Sequence, residues 1–319
     1  MIVTVTMNAA IDRTLSVPNF QVGHRHRASH WLSLAGGKGI NVARALKRLN
    51  VPVIATGLAG GRTGTRVVEE LTAEAILNDF VRIAEESRTS TAVVDPTAGS
   101  YTEINEWGPH VEREELDMLM DKLQYLSRGA DAVVFAGSLP RGVDAGFYGE
   151  AIREVNRWGI ATVLDAEGDP LRRGTEAGPV LVSPNDVEAE SLAGQEFHDR
   201  EDFLMALEAI GDMGARNALI TQHSGAYALV REDRAAMRLH AAAPPVEPVS
   251  VVGSGDVLLA AYLAARLEGR TAEEALRSAV AAGAASTLEL GAGRFDPREA
   301  GRLQGGVDVQ ALEPVHREG

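Results

Sequence analysis

The stretch Val251-Val252-Gly253-Ser254-Gly255-Asp256-Val257-Leu258-Leu259-Ala260-Ala261-Tyr262-Leu263 joins a glycine-rich turn directly to an apolar helix. Unpaired backbone N–H groups and the positive end of the helix therefore face the space before the turn, which favours an anion there. Asp256 adds a carboxylate at the same helix start. It would repel a phosphate bound there unless it acts on the group that reacts with that phosphate. We interpret Asp256 as a base. An ordinary capped helix is the alternative, because Asp is common in first turns and Gly-Ser-Gly is a common turn.

The composition is that of a soluble globular protein. Its 319 residues are 45% hydrophobic and 24% charged, which fits one large α/β domain with a sizeable core. The formal net charge of −14 argues against nucleic acid or an anionic membrane as a partner, so local positive groups must hold any anionic ligand. No cysteine is present, which excludes disulfides, thiolate zinc sites and cysteine nucleophiles.

Features that would direct the chain to or through a membrane are missing from the sequence. Residues 1–7 alternate like a strand and lack the basic region of a signal peptide. No segment has the uncharged apolar length of a membrane span. We therefore expect a cytoplasmic protein.

A second glycine-rich helix start lies at residues 35–49, AGGKGINVARALKRL. Apolar residues recur there at helical spacing and predict a helix. It is not a Walker loop, because neither Ser nor Thr follows Lys38 and no glycine stands at position 32. Only three of the 31 basic residues are lysines, so Lys38 is interpreted as a compact point charge, with chance as the alternative. We expect Lys38 and Asn41 to direct polar atoms at a substrate that approaches the glycines closely.

Strands and helices alternate along most of the chain. The predicted core strands are residues 2–7, 53–58, 132–136, 161–165, 180–182 and 218–221, and the clearest helices are 63–73, 255–268 and 271–288. Such alternation favours a mainly parallel sheet with helices on both faces. Asp12 and Ser138 follow strands, where such sheets bind ligands, although a loop carboxylate or hydroxyl there needs no function.

Two segments, about 14–34 and 89–105, are predicted to form a small sheet outside the main one. The alternating runs 89–95 and 100–105 are separated by a Pro-Thr-Ala-Gly sequence and predict a hairpin. The first segment is polar and β-like. We expect the two segments to form part of a lid.

Basic residues accompany these lid segments. Arg27 and Arg88 are each interpreted as an anion contact, with a solvated side chain as the alternative. His24 and His26 share a strand face as candidate metal ligands, but no acidic or sulfur partner is nearby. The sequence therefore gives little support to a metal site there.

The stretch Asn185-Asp186-Val187-Glu188 begins a predicted helix after the strand at 180–182. Its Asn and Glu have the spacing of a capping box, which needs no function. The functional alternative is a Mg²⁺ site at bound phosphates, in which amide and carboxylate oxygens act mostly through water. The residues alone leave both interpretations open.

Four separated stretches together resemble, in order and spacing, the signatures of the ribokinase-like sugar kinases, also called the PfkB family. They are residues 8–14, 36–43, 185–188 and 253–256. The stretches GGKGINVAR, ESRT (86–89), TEINE (102–106) and GSLP (137–140) resemble more narrowly the branch of 1-phosphofructokinases and tagatose-6-phosphate kinases. The resemblance covers nearly the whole chain. It implies one domain, residues 1–319, that is a three-layer α/β/α sandwich with a mainly parallel sheet and a small β lid.

The resemblance implies the chemistry of the opening stretch. Asp256 corresponds to the base that takes the proton of the acceptor hydroxyl. The amides of Gly253, Ser254 and Gly255 correspond to the anion hole for the transferring γ-phosphoryl group. Phosphoryl transfer depends mainly on such positioning and charge stabilisation.

The resemblance also implies an acceptor side. The implied contacts are Asp12, Gly37 and Asn41 for sugar hydroxyls, Lys38, Arg27 and Arg88 for the substrate's existing phosphate, and Ser138 for the substrate. These cations explain how a protein with a net charge of −14 would bind a dianion.

On the donor side, the resemblance implies ATP and Mg²⁺ as cofactors. The implied nucleotide contacts are Asn185, Thr221, Gly225 and Ser254, and the implied magnesium motif is Asn185 with Glu188, acting through water. Three places depart from the branch pattern: Ala9 replaces a proline, Ser183 replaces a lysine, and the stretch after Thr221, where the branch shows glycine, reads Gln222-His223-Ser224-Gly225 and is a residue shorter. The change at Ser183 removes one cation that is expected near the nucleotide phosphates.

The prediction is an ATP- and Mg²⁺-dependent kinase that converts fructose 1-phosphate to fructose 1,6-bisphosphate at a primary hydroxyl. Tagatose 6-phosphate or fructose 6-phosphate is the alternative acceptor, and a catalytically weak sugar-phosphate sensor is the alternative of another class. A nicotinamide dehydrogenase is disfavoured because Gly253-Ser254-Gly255 lacks a third glycine at 258. The lid is expected to offer a surface for a homodimer.

Overall fold

The computed structural model of the chain describes residues 1–232 and 235–313; residues 314–319 of the predicted domain lie outside the described residues. The strands are β1 (Ile2–Thr6), β2 (Ala10–Ser16), β3 (His30–Gly36), β4 (Val53–Gly60), β5 (Leu77–Asn78), β6 (Val81–Ile83), β7 (Arg88–Asp95), β8 (Ser100–Asn105), β9 (Ala132–Ala136), β10 (Ala161–Asp165), β11 (Leu181–Val182), β12 (Asn217–Gln222), β13 (Gly225–Glu232), β14 (Ala235–Ala242) and β15 (Asp308–Leu312). The α-helices are α1 (Lys38–Arg48), α2 (Gly61–Ala73), α3 (Arg113–Leu126), α4 (Phe147–Arg157), α5 (Gly168–Thr175), α6 (Asp186–Ala193), α7 (Arg200–Met213), α8 (Ser254–Leu267), α9 (Ala272–Ser286) and α10 (Pro297–Leu303).

The main sheet has the strand order β15-β14-β13-β12-β11-β10-β9-β1-β4-β5, and β6 also pairs with β4. Every pairing from β12 to β5 is parallel, whereas β13, β14 and β15 are added to β12 in antiparallel pairs. The central strands β1 and β9 are buried along their whole length. Strands of this kind read as continuous apolar runs because helices cover both faces of the sheet.

Two hydrophobic layers fill the space between the sheet and its helices. Ile2 faces a layer that includes side chains of α1, α2, α8, α9 and α10. Val3 and Val5 face the opposite layer, formed with α3, α4, α6 and α7. Successive side chains of a strand point to opposite faces, so β1 contributes to both layers. The predicted three-layer α/β/α sandwich is confirmed.

Helix α8 lies inside one of these layers rather than at the surface. All residues from Asp256 to Ala265 are buried, because α8 packs between α1 and α9. This explains why its sequence is apolar on every side. The packing also fixes the first turn of α8 beside the first turn of α1.

A second, four-stranded sheet has the order β3-β2-β7-β8. The predicted hairpin is present as β7 and β8, which pair antiparallel from Ser90–Asn105 to Asp95–Ser100. The segment predicted at 14–34 is β-structured only at its two ends, in β2 and β3, because residues 17–29 form a loop between them. The small sheet occupies the place of the expected lid; its movement stays a prediction.

The carboxyl ends of β1, β9, β10, β11 and β12 lie along one edge of the main sheet, together with the starts of α1 and α8. Polar residues that follow these strands therefore meet at that edge. Separately, none of the helices within the described ranges combines the length and apolar character needed to cross a membrane.

Candidate active site

A cleft of about 1180 Å³ runs along this edge of the main sheet and beneath the second sheet. Every predicted site residue except Arg27 lines it: Asp12, Gly37, Lys38, Asn41, Arg88, Ser138, Asn185, Glu188, Thr221, Gly225, Gly253, Ser254, Gly255 and Asp256. Residues from distant parts of the sequence are thus brought to one place, and a pocket of this size can hold two small ligands side by side.

The Gly253 turn gives the start of α8 its geometry. Gly253 has φ +79°, in the left-handed region that favours glycine. A Cβ atom at this position would lie 2.7 Å from the Cβ of Ala292, so the packing also requires glycine. The N–H of Ser254 donates to the Val251 carbonyl at 3.2 Å, whereas the N–H groups of Gly253 and Gly255 have no acceptor among the described residues. Two of the three predicted amides are therefore available to an anion.

Asp256 lies at the bottom of this turn with only 5% of its surface exposed. One of its carboxylate oxygens, Oδ2, accepts a hydrogen bond of 2.8 Å from Nδ2 of Asn41 in α1. Burial and the nearby Asp165 raise the pKa of Asp256 to about 8, although Lys38 and the Asn41 hydrogen bond oppose the shift. A carboxylate with a raised pKa is a suitable proton acceptor near neutral pH.

Lys38 extends from the start of α1 to two carboxylates on other elements. Its Nζ lies 2.6 Å from Oδ1 of Asp165 and 3.2 Å from Oε1 of Glu188. Burial alone would lower the pKa of the Lys38 ammonium, but Asp165, Glu188 and Asp256 raise it above its ordinary value. Lys38 is therefore charged and links the α1 start to the magnesium motif. Its predicted contact with the substrate phosphate stays a prediction.

Asp12 lies within β2, not after a strand of the main sheet as expected, and its carboxylate lies beside the other glycine-rich turn. A side chain at Gly36 would overlap this carboxylate, which explains the first glycine of the pair. Burial raises the pKa of Asp12 to about 6, against the lowering effect of Arg88 and Arg44. The N-terminus of α1 thus has a carboxylate of the protein beside it.

Arg88 and Ser138 both contact Asn8, a residue that the sequence analysis assigned no role of its own. The backbone carbonyl of Asn8 accepts from Nε of Arg88 at 3.3 Å, and its Nδ2 donates to Oγ of Ser138 at 3.2 Å. Its Oδ1 is buried and has no partner among the described residues. Asn8 lies two residues after the end of β1, and this position was the signal that could have identified it.

Arg27 is the one predicted site residue that lies away from the cleft. It is exposed in the loop between β2 and β3. The lining of the cleft described above does not include it. Its role as a phosphate contact stays a prediction.

Asn185 and Glu188 form the capping box that their spacing indicated. The Glu188 N–H donates to Oδ1 of Asn185 at 2.8 Å, and the Asn185 N–H donates to Oε2 of Glu188 at 2.8 Å. The other Glu188 oxygen faces Lys38. Burial raises the pKa of Glu188, although Lys38 opposes the shift. The capping and functional interpretations are therefore compatible, because one carboxylate oxygen caps α6 while the other faces the cleft.

The remaining predicted nucleotide contacts lie beside this motif and the Gly253 turn. Thr221 pairs with Asn185 in an isolated parallel bridge, and its hydroxyl lies close to Gly255. Gly225 begins β13 opposite Ala242 of β14 and also lines the cleft. These positions line the cleft together with the Gly253 turn.

Asp165 is the main site residue that the sequence analysis missed. It ends β10, is 4% exposed, holds Lys38 and raises the pKa of Asp256. Like Asn8, it is a polar residue at the carboxyl end of a parallel strand, which was the available signal.

The cleft is acidic, with few opposing cations. The carboxylates of Asp12, Asp165, Glu188 and Asp256 line it. Among the described residues, no group of three or more His, Cys, Asp or Glu side chains has the arrangement of a metal site. The donor set instead suits Mg²⁺ that is carried largely by phosphate and water oxygens, since this ion usually keeps several water ligands.

Comparison with known proteins gives matches along almost the whole chain. A family model described as "pfkB family carbohydrate kinase" matches residues 3–299. A 1-phosphofructokinase of Bacillus subtilis is 32% identical over 92% of the chain and 96% of its own length. A tagatose-6-phosphate kinase of Staphylococcus epidermidis is 28% identical over 93% of the chain and 95% of its own length.

A solved structure is similar in fold as well as sequence. Phosphofructokinase-2 from Escherichia coli, in complex with substrates and products, has a TM-score of 0.87 and 27% sequence identity. The match covers 95% of this chain and 98% of that one. The similarity therefore extends over the sheet, both helix layers and the cleft.

Proposed function

The chain belongs to the pfkB family of carbohydrate kinases and is a sugar-phosphate kinase, and we propose that it transfers the γ-phosphoryl group of ATP to fructose 1-phosphate. The observation that carries this proposal is Asp256, a buried carboxylate in the first turn of α8. It lies directly beside the unpaired amides of Gly253 and Gly255. A proton acceptor next to an anion site is the arrangement that phosphoryl transfer to a hydroxyl requires.

In the proposed reaction, Asp256 accepts the proton of the primary hydroxyl of the sugar. The hydroxyl oxygen then forms a bond to the γ-phosphorus, while the bond from that phosphorus to the bridging oxygen breaks and ADP leaves. The amides of Gly253 and Gly255 donate to the oxygens of the transferring group. They are preorganised by α8, so no reorganisation opposes the step.

The acceptor would lie between the second sheet and α1. Asp12 and Asn41 are proposed to bind the sugar hydroxyls, with Gly37 leaving room for the ring. Arg88 and Ser138 are proposed to hold the existing phosphate together with Lys38. Arg88 is suited to this role because a guanidinium donates two parallel hydrogen bonds to a phosphate.

The donor would lie between α6 and α8, along Asn185, Thr221 and Gly225. Mg²⁺ bound to ATP would neutralise phosphate charge next to the acidic residues of the cleft. Asn185 and Glu188 are proposed to reach it through water, because the capping box already uses the side-chain oxygen of Asn185 and one of the two carboxylate oxygens of Glu188.

Tagatose 6-phosphate and fructose 6-phosphate are the alternative acceptors. A tagatose-6-phosphate kinase is among the proteins that resemble this chain over almost their whole length. All three candidates carry one phosphate and offer a primary hydroxyl at the far end, so the cleft chemistry described above suits each of them.

The test is ADP production with Mg·ATP and a panel of acceptors: fructose 1-phosphate, fructose 6-phosphate, tagatose 6-phosphate, fructose and ribose. We expect the highest kcat/KM with fructose 1-phosphate and far lower values with the two unphosphorylated sugars. A higher kcat/KM with fructose 6-phosphate or tagatose 6-phosphate would make that sugar the acceptor instead of fructose 1-phosphate. No ADP release with any acceptor would contradict the proposed activity.

We also propose that the outer face of the second sheet is a homodimer surface. Tyr101, Glu103 and Asn105 line the cleft, so Ile104 lies on the opposite face of β8. Its side chain is 63% exposed, and Trp31 of β3 is 71% exposed. Large apolar side chains exposed on one sheet face mark an interaction surface.

Sedimentation analysis tests this assembly. Ile104→Lys should shift the protein toward monomer, whereas Met118→Lys, on the exposed face of α3, should not. Equal oligomeric states in both variants and the unmodified protein would contradict the proposed surface. Phosphofructokinase-2 from Escherichia coli is described in a tetrameric inhibited form, so the experiment must resolve dimers from tetramers.

A further inference from the structure

Arg44, in the second turn of α1, is a buried cation whose hydrogen bonds connect several parts of the active site. Only 3% of its surface is exposed. Its Nε and Nη2 donate to Glu74 at 2.6 and 2.9 Å, and Nη2 also donates to the Ala35 carbonyl at 2.7 Å. Its Nη1 donates to the Ala292 carbonyl at 3.1 Å and to Oδ1 of Asn41 at 3.3 Å. A guanidinium has five N–H donors, and five bonds are made.

The contact between Arg44 and Asn41 determines which way the side-chain amide of Asn41 points. A guanidinium only donates, so the Asn41 oxygen must face Arg44 and the NH₂ group must face away from it. That NH₂ group donates to Asp256 at 2.8 Å. The Arg44 contact therefore selects the orientation of Asn41 in which a donor faces the carboxylate.

Asp256 has few other sources of stabilisation for its charged form. Of the charged groups among the described residues that act on it most, Asp165 and Asp12 oppose ionisation and Lys38 favours it. The Asn41 hydrogen bond acts in the same direction as Lys38. Loss of this donor would therefore leave less of Asp256 ionised at neutral pH.

Arg44 also binds Ala292, a residue that packs against the turn of the anion site. The Ala292 carbonyl that it binds belongs to the residue against which the Gly253 turn packs. The Arg44 guanidinium therefore contacts both Ala292, against which the Gly253 turn packs, and Asn41, which donates to Asp256. Glu74, at the end of α2, holds the guanidinium through two hydrogen bonds.

We propose that Arg44, held by Glu74, is a positioning residue that acts through Asn41 to keep Asp256 ready to accept the proton of the acceptor hydroxyl. This inference rests on the proposed function of Asp256. Arg44 itself touches neither reacting group. Its effect should therefore be on turnover and on the pH dependence of turnover, rather than on acceptor binding.

The test compares pH profiles of kcat for Arg44→Lys and Glu74→Gln with that of the unmodified enzyme, using saturating amounts of the best acceptor of the panel. Lysine has three donors and cannot make all five bonds. A hydrogen bond to a charged group contributes about 1.5 kcal/mol, so the acidic limb of the profile should move up by about one pH unit. At pH 7, kcat should fall about tenfold and recover at high pH, while KM for the acceptor changes less.

A matched control is Arg238→Lys. Arg238 of β14 makes a similar paired contact with Glu208, at 2.6 and 2.5 Å, remote from Asn41 and Asp256. This variant should leave the acidic limb where it is in the unmodified enzyme. A shift of equal size would mean that the limb responds to general destabilisation, and the proposal would be overturned.

The remaining outcomes separate the two proposals. The acidic limb could stay in place in Arg44→Lys and Glu74→Gln while kcat falls equally at every pH. This result would show that the role of Arg44 is purely structural. Should Arg44→Lys not fold by circular dichroism, Glu74→Gln decides alone, because Glu74 is 29% exposed and its replacement keeps the guanidinium. If Asp256→Asn keeps full turnover, the proposed function itself fails, whatever Arg44 does.

Discussion

The starts of α1 and α8 are both glycine-rich helix N-termini that face the same cleft, yet they differ in the groups that lie against them. At α1, the Asp12 carboxylate lies against the glycine pair, so the positive end of that helix already faces a carboxylate of the protein. At α8, the N–H groups of Gly253 and Gly255 have no acceptor among the described residues. The Asp12 carboxylate opposes a further anion at α1, so we propose the α8 start as the site of the transferring phosphoryl group.

The charged side chain of each turn interacts with groups from other elements of the cleft. Lys38 of α1 pairs with Asp165 of β10 and with Glu188 of the proposed magnesium motif, while Asp256 of α8 accepts a hydrogen bond from Asn41 of α1. Each helix start therefore depends on groups from another element. A turn of this kind acquires its chemistry from its neighbours as much as from its own sequence.

The largest expected effect is that of Asp256→Asn, which removes the proton acceptor from the α8 turn. We expect kcat to fall by about 10²–10⁴, with acceptor binding nearly unchanged because the amide keeps the shape of the carboxylate. Steady-state kinetics and calorimetric titration with the sugar phosphate provide the two measurements. Near-native turnover would show that the α8 turn is only a capped helix start.

Lys38→Ala is expected to have the next largest effect, on the α1 side. Loss of a charge-assisted contact of about 1.5–3 kcal/mol should raise KM for the sugar phosphate about 10- to 100-fold. KM for fructose should change much less. A rise confined to KM for Mg·ATP would instead assign Lys38 to the donor, as its pairing with Glu188 allows.

Gly253→Ala tests the geometry of the α8 turn without changing any charge. A side chain there meets Ala292 and must adopt a left-handed φ, which costs about 1–3 kcal/mol. We expect about tenfold lower kcat and a lower melting temperature. Gly129→Ala is the control, because Gly129 has a similar φ of +77° with no atom within 4 Å of an added Cβ; equal losses of kcat in both variants would contradict the role of the turn.

The smallest expected effect concerns stability without ligands. The folded pKa of Asp256, about 8, is above its unfolded value of 3.8. The folded state therefore binds more protons in this range, and the carboxyl lowers stability as pH rises from about 4 to 8. Asp256→Asn should be more stable by about 1 kcal/mol or more at pH 8 and similar at pH 4. Denaturant unfolding at the two pH values measures this, and a difference that does not grow with pH would contradict the raised pKa.

Much of the fold could be predicted because it depends on local patterns. The strands at residues 132–136 and 161–165 have the predicted bounds, and α8 and α9 begin and end within two residues of the predicted limits. Buried parallel strands are continuous apolar runs, and helices show their own periodicity. Residues 17–29 were the exception, since a polar loop between two strands has no distinct pattern.

The site could be predicted only as a set of turns. Motifs such as GSGD and GGKGIN marked residues that the fold brings together: every predicted site residue except Arg27 lines one cleft. Asp165 and Asn8 were missed as site residues because a single polar residue after a strand is common. The pairing of Lys38 with Asp165 joins residues 127 positions apart, and no local pattern encodes a contact of that separation.

The sequence by itself determined the family, the three-layer architecture and the positions of the two glycine-rich helix starts, because these follow from short stretches of residues in order. Only the tertiary structure decided which amides remain unpaired, which carboxylates Lys38 pairs with, and that Arg44 orients Asn41 toward Asp256. These properties depend on distances between groups far apart in the chain and on the burial that strengthens their interactions.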